Sequence, residues 1–514
     1  MRARALMVQG TASHAGKSVL CTALCRIFRQ DGLRVAPFKA QNMSLNAYVT
    51  PDGGEIGRAQ GVQAEAAGVE ATVDMNPILL KPKGDGLSQV VLRGRPWGDV
   101  RAAAYYRDDH LAYLWRAVEG SLARLLDEFE VVVIEGAGSP AEVNLRGLDL
   151  ANMRVAALAD APVILVGDIE RGGVFASLIG TFELLPESER RKIRGIVINK
   201  FRGDAGILAP GIEFLERRTG CPVLGVLPYM ADLGVEAEDG VSLGDWRSKT
   251  GTFLDLAVVR LPHIANFTDF DPLCLEPDVS VRYVNHPAAL GQPDVLFLPG
   301  TKNTTRDLIY LYESGWAEAI RSFANRGGLV VGICGGYQML GRELRDPLGS
   351  ESGIDYLPAL GLLAVTTVFR PGKTTRRVTG LLLSCPGPLG EVKGEEVSGY
   401  EIHAGETQRD PDAPAVFVLH DGLYDGAINA TGTVWGTYLH GLFEADGFRR
   451  RWLNVLRRRR GLPLLPVTVS FAAAKEAAFD RLAEIVRRHL KMEVIYAWLG
   501  LRPVREAPSP RESS

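Results

Sequence analysis

The stretch Leu329-Val-Val-Gly-Ile-Cys-Gly-Gly-Tyr-Gln338 decides the fold of the second half of the chain. Its first four residues are apolar or small and predict the end of a buried strand, and a helix is predicted over residues 337–344. Cys334 would lie in a glycine-bracketed turn between them, with a strained backbone and a thiol beside a helix N-terminus. Such a position favours thiolate. The pattern predicts a nucleophile, with a buried structural cysteine as the alternative.

A nucleophilic thiol needs a base, and two of the eight histidines are candidates. His440 ends a short apolar run in Tyr438-Leu-His-Gly441, far downstream of Cys334, so only tertiary folding can join the two. His403, in Gly399-Tyr-Glu-Ile-His-Ala-Gly405, is the rival candidate. The sequence favours His440 as the base.

The cysteine turn and the later Tyr-Leu-His-Gly motif together resemble the class I, triad-type glutamine amidotransferases. The resemblance implies that Cys334 attacks the side-chain amide of glutamine, forms a glutamyl thioester and releases ammonia. It also implies an oxyanion hole built from backbone N–H groups at Gly300 and Gly335. The usual third member of the triad, a Glu two residues after the His, is Leu442 here, and whether Glu444 substitutes for it stays open.

The chain begins with a second recognisable pattern, an apolar strand followed by Gly10-Thr-Ala-Ser-His-Ala-Gly-Lys-Ser18 and an amphipathic helix. A glycine-containing loop that opens a helix with Gly-Lys-Ser predicts phosphate binding, with a plain turn as the alternative. Lys17 would supply a positive charge and Ser18 a Mg²⁺ ligand. The spacing is one residue longer than the standard motif, so Thr11 takes the place of its first glycine and Gly16 the second. The loop resembles the dethiobiotin-synthetase-like branch of P-loop proteins.

Polar residues at two further strand ends extend the predicted nucleotide site. An apolar strand over residues 130–134 ends at Glu135, where a P-loop fold keeps its Mg²⁺ ligand. Asn199 and Lys200 follow another strand and can contact a purine base. ATP is predicted rather than GTP, because Arg202 stands where guanine readers carry Asp.

Two polar loops are candidates for further ligand contacts, since polar residues after strands near a phosphate loop usually face the ligand in doubly wound sheets. The first is Lys39-Ala-Gln-Asn-Met-Ser-Leu-Asn46 and the second is Asp168-Ile-Glu-Arg-Gly-Gly-Val174. Loops that satisfy their own backbone would explain the same residues. The candidate side chains in these loops are Lys39, Gln41, Asn42, Ser44, Asp168 and Arg171.

The order of the two patterns, ATP site first and amidotransferase second, resembles the cobyric/cobyrinic acid amidase family of corrinoid biosynthesis. Four stretches carry the likeness: residues 38–46, 144–153, 167–175 and 266–271. It implies four successive amidations of adenosylcobyrinic acid a,c-diamide, at the b, d, e and g carboxylates, with glutamine, ATP and Mg²⁺. A substrate with carboxylates around its rim would also suit basic residues such as Arg146 and Arg171. A sister enzyme that amidates the a and c carboxylates and a partition-type ATPase switch are the alternatives.

Length and composition predict two α/β domains. The chain has 514 residues, which is too many for one ordinary core. Of these residues, 46% are hydrophobic and 23% are charged. We expect a P-loop domain with a mainly parallel sheet over residues 1–235, a linker over 236–252 and an amidotransferase domain over 253–500. A disordered tail is expected over residues 501–514.

The charge balance, the cysteines and the absence of long apolar runs limit the partners. The net charge of −3 gives no case for nucleic acid, and Arg457-Arg-Arg-Arg460 is predicted to be a solvated helix end. Six cysteines without paired spacing fit a reducing cytoplasm. No apolar run is long enough for membrane insertion. Small-molecule substrates are therefore expected, and a homo-oligomer is left open.

Overall fold

The computed structural model describes residues 3–84, 86–230, 233–236 and 253–502. All but one residue of the expected linker over 236–252, and all but two of the expected tail over 501–514, lie outside the described residues.

A six-stranded parallel sheet organises the first half of the chain. Its strands are continuous apolar runs because both faces of the sheet are covered. Met7 faces one hydrophobic core and the adjacent Val8 faces another, as the alternation along a strand requires. In spatial order the strands are Val223–Pro228, Ile193–Phe201, Val163–Asp168, Arg4–Gly10, Val131–Glu135 and Val35–Phe38.

Helices and smaller β-elements surround this sheet. The helices of this half are Lys17–Gln30, Arg58–Ala67, Ala102–Tyr105, Asp108–Glu128, Met153–Leu158, Val174–Leu184, Glu187–Arg190 and Ala209–Thr219. A four-stranded sheet contains Gln41–Met43, Ile78–Gly84, Leu87–Leu92 and Arg95–Arg101, and Ala47–Val49 pairs with Glu55–Gly57. The predicted polar loop over residues 39–46 thus contains a short strand, because Gln41–Met43 pairs with Ile78–Gly84.

A second six-stranded sheet organises the other half, and five of its strands run parallel. In spatial order they are Val279–Val284, Leu254–Val259, Val295–Leu298, Leu329–Ile333, Val434–Thr437 and the antiparallel Ala427–Ile428. Two four-stranded sheets comprise Tyr356–Pro358, Glu343–Arg345, Val365–Val368 and Glu406–Arg409, and Glu396–His403, Thr374–Leu382, Phe417–Leu419 and Tyr424–Asp425. The helices are Asp271–Leu275, Thr304–Glu313, Trp316–Asn325, Gly335–Leu340, Asp446–Arg459, Phe471–His489 and Met492–Trp498. The two six-stranded, mainly parallel sheets confirm the predicted α/β fold class.

The helix after Cys334 is shorter than the sequence predicted. It spans Gly335–Leu340, and residues 343–344 of the expected helix belong instead to the strand Glu343–Arg345. This strand pairs with Val365–Val368. The chain turns out of the helix at Gly341, where a Cβ would lie 2.8 Å from the Val365 carbonyl oxygen.

The last two helices pack against the first sheet although they follow the second domain in sequence. Phe471–His489 carries buried Leu482, Ala483 and Val486 into the core around helix Lys17–Gln30. Arg26 reaches across to the carboxylates of this helix, and Tyr496 packs edge-on against Phe28. In packing terms this segment extends the first domain, which differs from the expected assignment of residues 253–500 to the second.

The basic run at the end of helix Asp446–Arg459 is only partly solvated. Arg458, Arg459 and Arg460 are exposed, but Arg457 is buried and pairs with Asp278 at 2.8 Å. The prediction of a fully solvated helix end was therefore wrong for Arg457, because a buried carboxylate faces that side of the helix.

Candidate active site

Cys334 occupies a strained turn at the end of a central strand. Its backbone has φ +52° and ψ −109°, a region that non-glycine residues rarely adopt. Glycines make the turn possible, since a Cβ on Gly336 would lie 1.9 Å from the Leu298 carbonyl oxygen. The thiol is buried next to the Ile402 carbonyl, at 3.7 Å. The predicted glycine-bracketed elbow is therefore present.

His440 lies beside this thiol, close enough for the charges of the two groups to interact, and both line one cavity. Its Nδ1 is 2.7 Å from Asp269 Oδ2, and the Tyr400 ring stacks on the imidazole with centroids 5.2 Å apart. Burial by itself lowers the pKa of His440, but the negative charges of Asp269 and Cys334 outweigh it and raise the pKa to about 10. The site is thus built to hold a positively charged imidazole next to the sulfur of Cys334.

Asp269 completes a Cys–His–Asp arrangement that the sequence did not assign. Besides the imidazole, its other oxygen accepts the Gly441 backbone N–H at 2.8 Å. Glu444, the residue left open for this place, instead faces Arg58 at 3.6 Å. The one sequence signal for Asp269 was its position in the stretch 266–271, which carried part of the family likeness without a role.

His403 also borders the site but in a different environment. It stacks on Tyr438 with ring centroids 3.7 Å apart, and its Nδ1 donates to the Gly405 carbonyl oxygen at 3.2 Å. Burial lowers the pKa of His403 to about 4, against a smaller opposing effect of that carbonyl. A neutral ring with no carboxylate partner among the residues that the structure describes fits a wall of the cavity better than a proton acceptor for Cys334.

Gly300 and Gly335, the predicted oxyanion residues, flank the cysteine and histidine. A Cβ on Gly300 would lie 2.8 Å from His440 Cε1, and one on Gly335 would lie 2.6 Å from the Thr301 side chain. Backbone atoms can therefore approach the reacting groups closely at both positions, which an oxyanion hole requires.

Asn266 connects this site to the first domain. Its Oδ1 accepts the backbone N–H of Ala47 at 2.9 Å, and its Nδ2 lies 3.4 Å from His440 Nε2. Asn266 is buried and has φ +53°. One side chain thus contacts both the strand Ala47–Val49 of the first domain and the imidazole.

The N-terminal loop has the predicted form of a phosphate cradle. Gly16 has φ +101°, and a Cβ there would lie 2.0 Å from Asn199 Nδ2, so only glycine fits. Lys17 heads the helix Lys17–Gln30 and its Nζ donates to the carbonyls of Ala12 and Gly138 at 2.9 and 3.0 Å. Thr11 is anchored through its N–H to Val166 at 3.0 Å.

Glu135 is the centre of a buried polar network beside this cradle. Its Oε1 accepts Ser18 Oγ and Lys39 Nζ, both at 2.8 Å, and its Oε2 accepts Gln63 Nε2 at 2.6 Å. The hydroxyl of Ser18 and this carboxylate are hard oxygen donors next to the cradle, which suits Mg²⁺. No group of three or more His, Cys, Asp or Glu side chains able to hold a metal occurs among the described residues. A Mg²⁺ ion here would need nucleotide oxygens and water to complete its coordination.

The structure also brings together Asp168, Asn199 and Lys200 near the cradle. Lys200 Nζ donates to Asp168 Oδ2 and to the His14 carbonyl, both at 2.8 Å. Asn199 Nδ2 donates to the Ala15 carbonyl at 2.9 Å. These side chains therefore support the loop between Gly10 and Gly16.

The remaining predicted contact residues are more dispersed. Gln41 accepts the Tyr105 hydroxyl at 2.5 Å, Asn42 donates to Gln60 at 3.0 Å, and Ser44 lies within its own turn. The remaining two are arginines: Arg146 reaches the Leu184 carbonyl and Arg171 is exposed in its glycine loop. Of the first polar loop, Lys39 is the candidate with a bond to Glu135.

No helix in the described part of the chain is both long enough and apolar enough to cross a membrane.

Two family matches agree with the two sites. Residues 6–243 match the CobQ/CobB/MinD/ParA nucleotide binding domain, and residues 255–448 match the CobB/CobQ-like glutamine amidotransferase domain. Together with the fold, these matches define the class: a nucleotide-binding α/β domain joined to a glutamine amidotransferase domain.

Full-length relatives narrow the class further. The cobyric acid synthase of Pelotomaculum thermopropionicum is 54% identical over 99% of this chain and 98% of its own length. Those of Desulforamulus reducens and Geobacillus kaustophilus are 50% and 51% identical, over 97% and 96% of this chain and 98% and 97% of their own lengths. The chain belongs to the cobyric acid synthase family, and it is a glutamine-hydrolysing amidotransferase of the ligase class.

Proposed function

We propose that this chain amidates the b, d, e and g carboxylates of adenosylcobyrinic acid a,c-diamide, with glutamine as the nitrogen donor and ATP as the activator. The observation that carries the proposal is the Cys334–His440–Asp269 arrangement on the same chain as the Lys17 phosphate cradle. The full-length likeness to cobyric acid synthases supports the choice of substrate.

In the glutamine half-reaction, the thiolate of Cys334 attacks the carbonyl carbon of the glutamine side-chain amide. The N–H groups at Gly300 and Gly335 stabilise the oxyanion, and the imidazolium of His440 donates a proton to the departing ammonia. The neutral imidazole then takes a proton from water, which cleaves the glutamyl thioester and returns the thiolate. Asp269 keeps the imidazole oriented through Nδ1.

In the acceptor half-reaction, a substrate carboxylate attacks the γ-phosphorus of ATP, and ADP leaves. The acyl phosphate is then attacked by ammonia, an amide forms and phosphate departs. Lys17 places a positive charge at the phosphates, and Lys39 places a second positive charge beside Glu135. Ser18 and Glu135 would hold Mg²⁺, which neutralises charge developing on the phosphates when bound.

The test compares two nitrogen donors on purified Cys334→Ala protein. With glutamine, we expect no amide product and no glutamate, because the nucleophile is absent. With ammonium chloride at alkaline pH, we expect ATP-dependent amidation of the a,c-diamide to persist, as judged from product mass. Glutamate release by the variant at the wild-type rate would contradict the proposal.

Product mass also separates the alternative functions. A gain of four amides from the a,c-diamide supports the proposal, whereas two amides formed only from cobyrinic acid would assign the sister reaction at the a and c carboxylates. A partition-type ATPase switch would hydrolyse ATP and leave glutamine unchanged.

A further inference from the structure

The cavity that contains Cys334 and His440 is lined from both domains and encloses about 170 Å³. At one end lie the thiol, the imidazole and Gly300. The rest of the lining is unusually rich in charge, including lysines of both domains. A glutamine bound here would place its amide at the thiol and its α-amino acid group among these charges.

Most cations in the lining already have acidic partners. Their ion pairs are Lys81 and Lys373 with Glu55, Lys83 with Asp99, and Arg370 with Glu406. Lys302 differs from them, because its ammonium forms no ion pair within 4 Å among the residues that the structure describes. It follows the oxyanion residue Gly300 by two positions, and its backbone N–H is fixed to the His263 carbonyl at 3.0 Å.

Glu351 is the acidic residue in the same lining, and hydrogen bonds connect it to the turn at Cys334. Its Oε1 accepts the Thr304 N–H at 2.9 Å, and the Thr304 hydroxyl donates to Gln338 Oε1 at 2.9 Å. A Cβ on Gly335, next to the nucleophile, would lie 3.2 Å from that same hydroxyl. The carboxylate of Glu351 is therefore positioned by the elements that position the thiol.

The charges of Lys302 and Glu351 interact although the two side chains form no ion pair. Burial lowers the pKa of Lys302 while Glu351 opposes the shift, and burial raises the pKa of Glu351 while Lys302 opposes it. Two opposite charges that face one cavity and remain apart leave room for a ligand that carries the complementary pair. The α-carboxylate and α-ammonium of an amino acid are such a pair.

We propose that Lys302 binds the α-carboxylate of glutamine and Glu351 its α-ammonium, so that the two residues set the specificity of the amidotransferase site for a free α-amino acid. This assignment rests on the proposed glutamine-dependent function and adds the residues that recognise the donor. Both residues act in binding, so their loss should appear in KM for glutamine rather than in the ammonia-dependent reaction.

The experiment measures hydrolysis of the side-chain amide in three compounds. They are glutamine, glutaramic acid, which lacks the α-amino group, and 4-aminobutanamide, which lacks the α-carboxylate. We expect the wild-type protein to prefer glutamine over both by roughly 100-fold or more in kcat/KM, because a missing charge leaves a buried partner unpaired. Lys302→Met should raise KM for glutamine roughly 10- to 100-fold and abolish the preference over 4-aminobutanamide alone. Glu351→Gln should abolish the preference over glutaramic acid alone.

Lys83→Met is the matched control, since Lys83 lines the same cavity but is paired with Asp99, and it should keep both preferences. Lys302→Arg should restore part of the carboxylate preference. The proposal is overturned if the wild-type protein accepts the analogues as well as glutamine, or if each variant loses both preferences together. Ammonia-dependent amidation by every variant checks folding, and a wild-type protein without glutaminase activity would refute the proposed function instead.

Discussion

Two carboxyl groups in one short segment, the buried Asp269 and the half-buried Asp271, have different surroundings at the residue scale. Asp269 accepts hydrogen bonds from the His440 imidazole and from the Gly441 backbone N–H. Burial and the nearby charge of Glu236 raise the pKa of Asp271 well above its usual range. An Asp→Asn change at position 269 therefore removes the anion next to His440, whereas the same change at position 271 leaves that contact in place.

We expect Asp269→Asn to lower kcat for glutamine hydrolysis by roughly 10²- to 10⁴-fold, because the imidazolium loses the anion that stabilises it. Ammonia-dependent amidation should be unchanged. Asp271→Asn is the matched control and should retain activity within a few-fold. Equal losses in the two variants would show that the segment matters for packing and that Asp269 has no special role.

The pH dependence of the same pair has a definite sign. The pKa of His440 in the folded protein, about 10, exceeds the ordinary value of 6.5. The resulting stabilisation is fully present below about pH 6.5 and is lost as pH rises through about 10. In Asp269→Asn the pKa of His440 falls, so the alkaline limb of the glutaminase pH profile should move to lower pH. Steady-state rates between pH 6 and 10.5 measure this shift, and an unmoved limb would contradict it.

Sequence reasoning picked out Cys334 and His440, which the fold places side by side, but not Asp269, which contacts the His440 imidazole. Cys334 and His440 each sit in a local motif whose glycines and apolar run are visible in sequence. Asp269 is 171 residues from His440 and lies in a short polar segment without periodicity, so only the folded chain shows the pairing.

At the scale of single elements, the turn at Cys334 requires a glycine at position 336. There the helix Gly335–Leu340 lies against the neighbouring strand Val295–Leu298. We expect Gly336→Ala to destabilise the protein by about 1–3 kcal/mol or more, since its Cβ would overlap the Leu298 carbonyl oxygen. Gly180→Ala is the control, because a Cβ there meets no atom within 4 Å in helix Val174–Leu184. That change should be neutral or stabilising by up to about 1 kcal/mol. Urea unfolding measures both, and equal effects would argue against close packing at the elbow.

Element boundaries could be predicted where the local pattern was clear. The predictions failed where a contact with a distant part of the chain determined the boundary. The strand Leu329–Ile333 before Cys334 lies close to its predicted range. The helix after Cys334 stops early because strand Glu343–Arg345 finds a partner that is distant in sequence. No local pattern indicates that helix Phe471–His489 packs against the first domain, since an amphipathic face does not specify which core it covers.

At the scale of the whole molecule, the two domains are linked by polar contacts. Glu55 of the first domain binds Lys81 of its own domain at 2.6 Å and Lys373 of the second at 2.5 Å. Burial raises the pKa of Glu55, but Lys373 and Lys81 outweigh it and lower the pKa to about 2. Lys81 and Lys373 also line the cavity of Cys334. One carboxylate therefore holds together the walls of the proposed glutamine site.

Replacing Glu55 by Gln should separate these walls. Lys81 and Lys373 would then lose their shared anion at a site where burial already lowers the pKa of Lys373 to about 7, and we expect a loss of about 3–5 kcal/mol in the free energy of unfolding. In the wild type, the contribution of Glu55 is present above about pH 4.5 and lost as pH falls through about 2, so the difference between the two proteins should shrink in acid. Urea unfolding at pH 7.5 and pH 3 measures both values, and Glu128→Gln on the exposed end of helix Asp108–Glu128 is the control.

The same change tests whether ammonia transfer requires docked domains. We expect Glu55→Gln to release more glutamate than it forms amide, because ammonia escapes through the loosened interface and is protonated in water. Amidation from added ammonium chloride should continue, since the phosphate cradle around Lys17 is not part of that interface. A ratio of amide to glutamate that stays at the wild-type value, in a variant shown to be destabilised, would mean that Glu55 supports folding and that the ammonia route lies elsewhere.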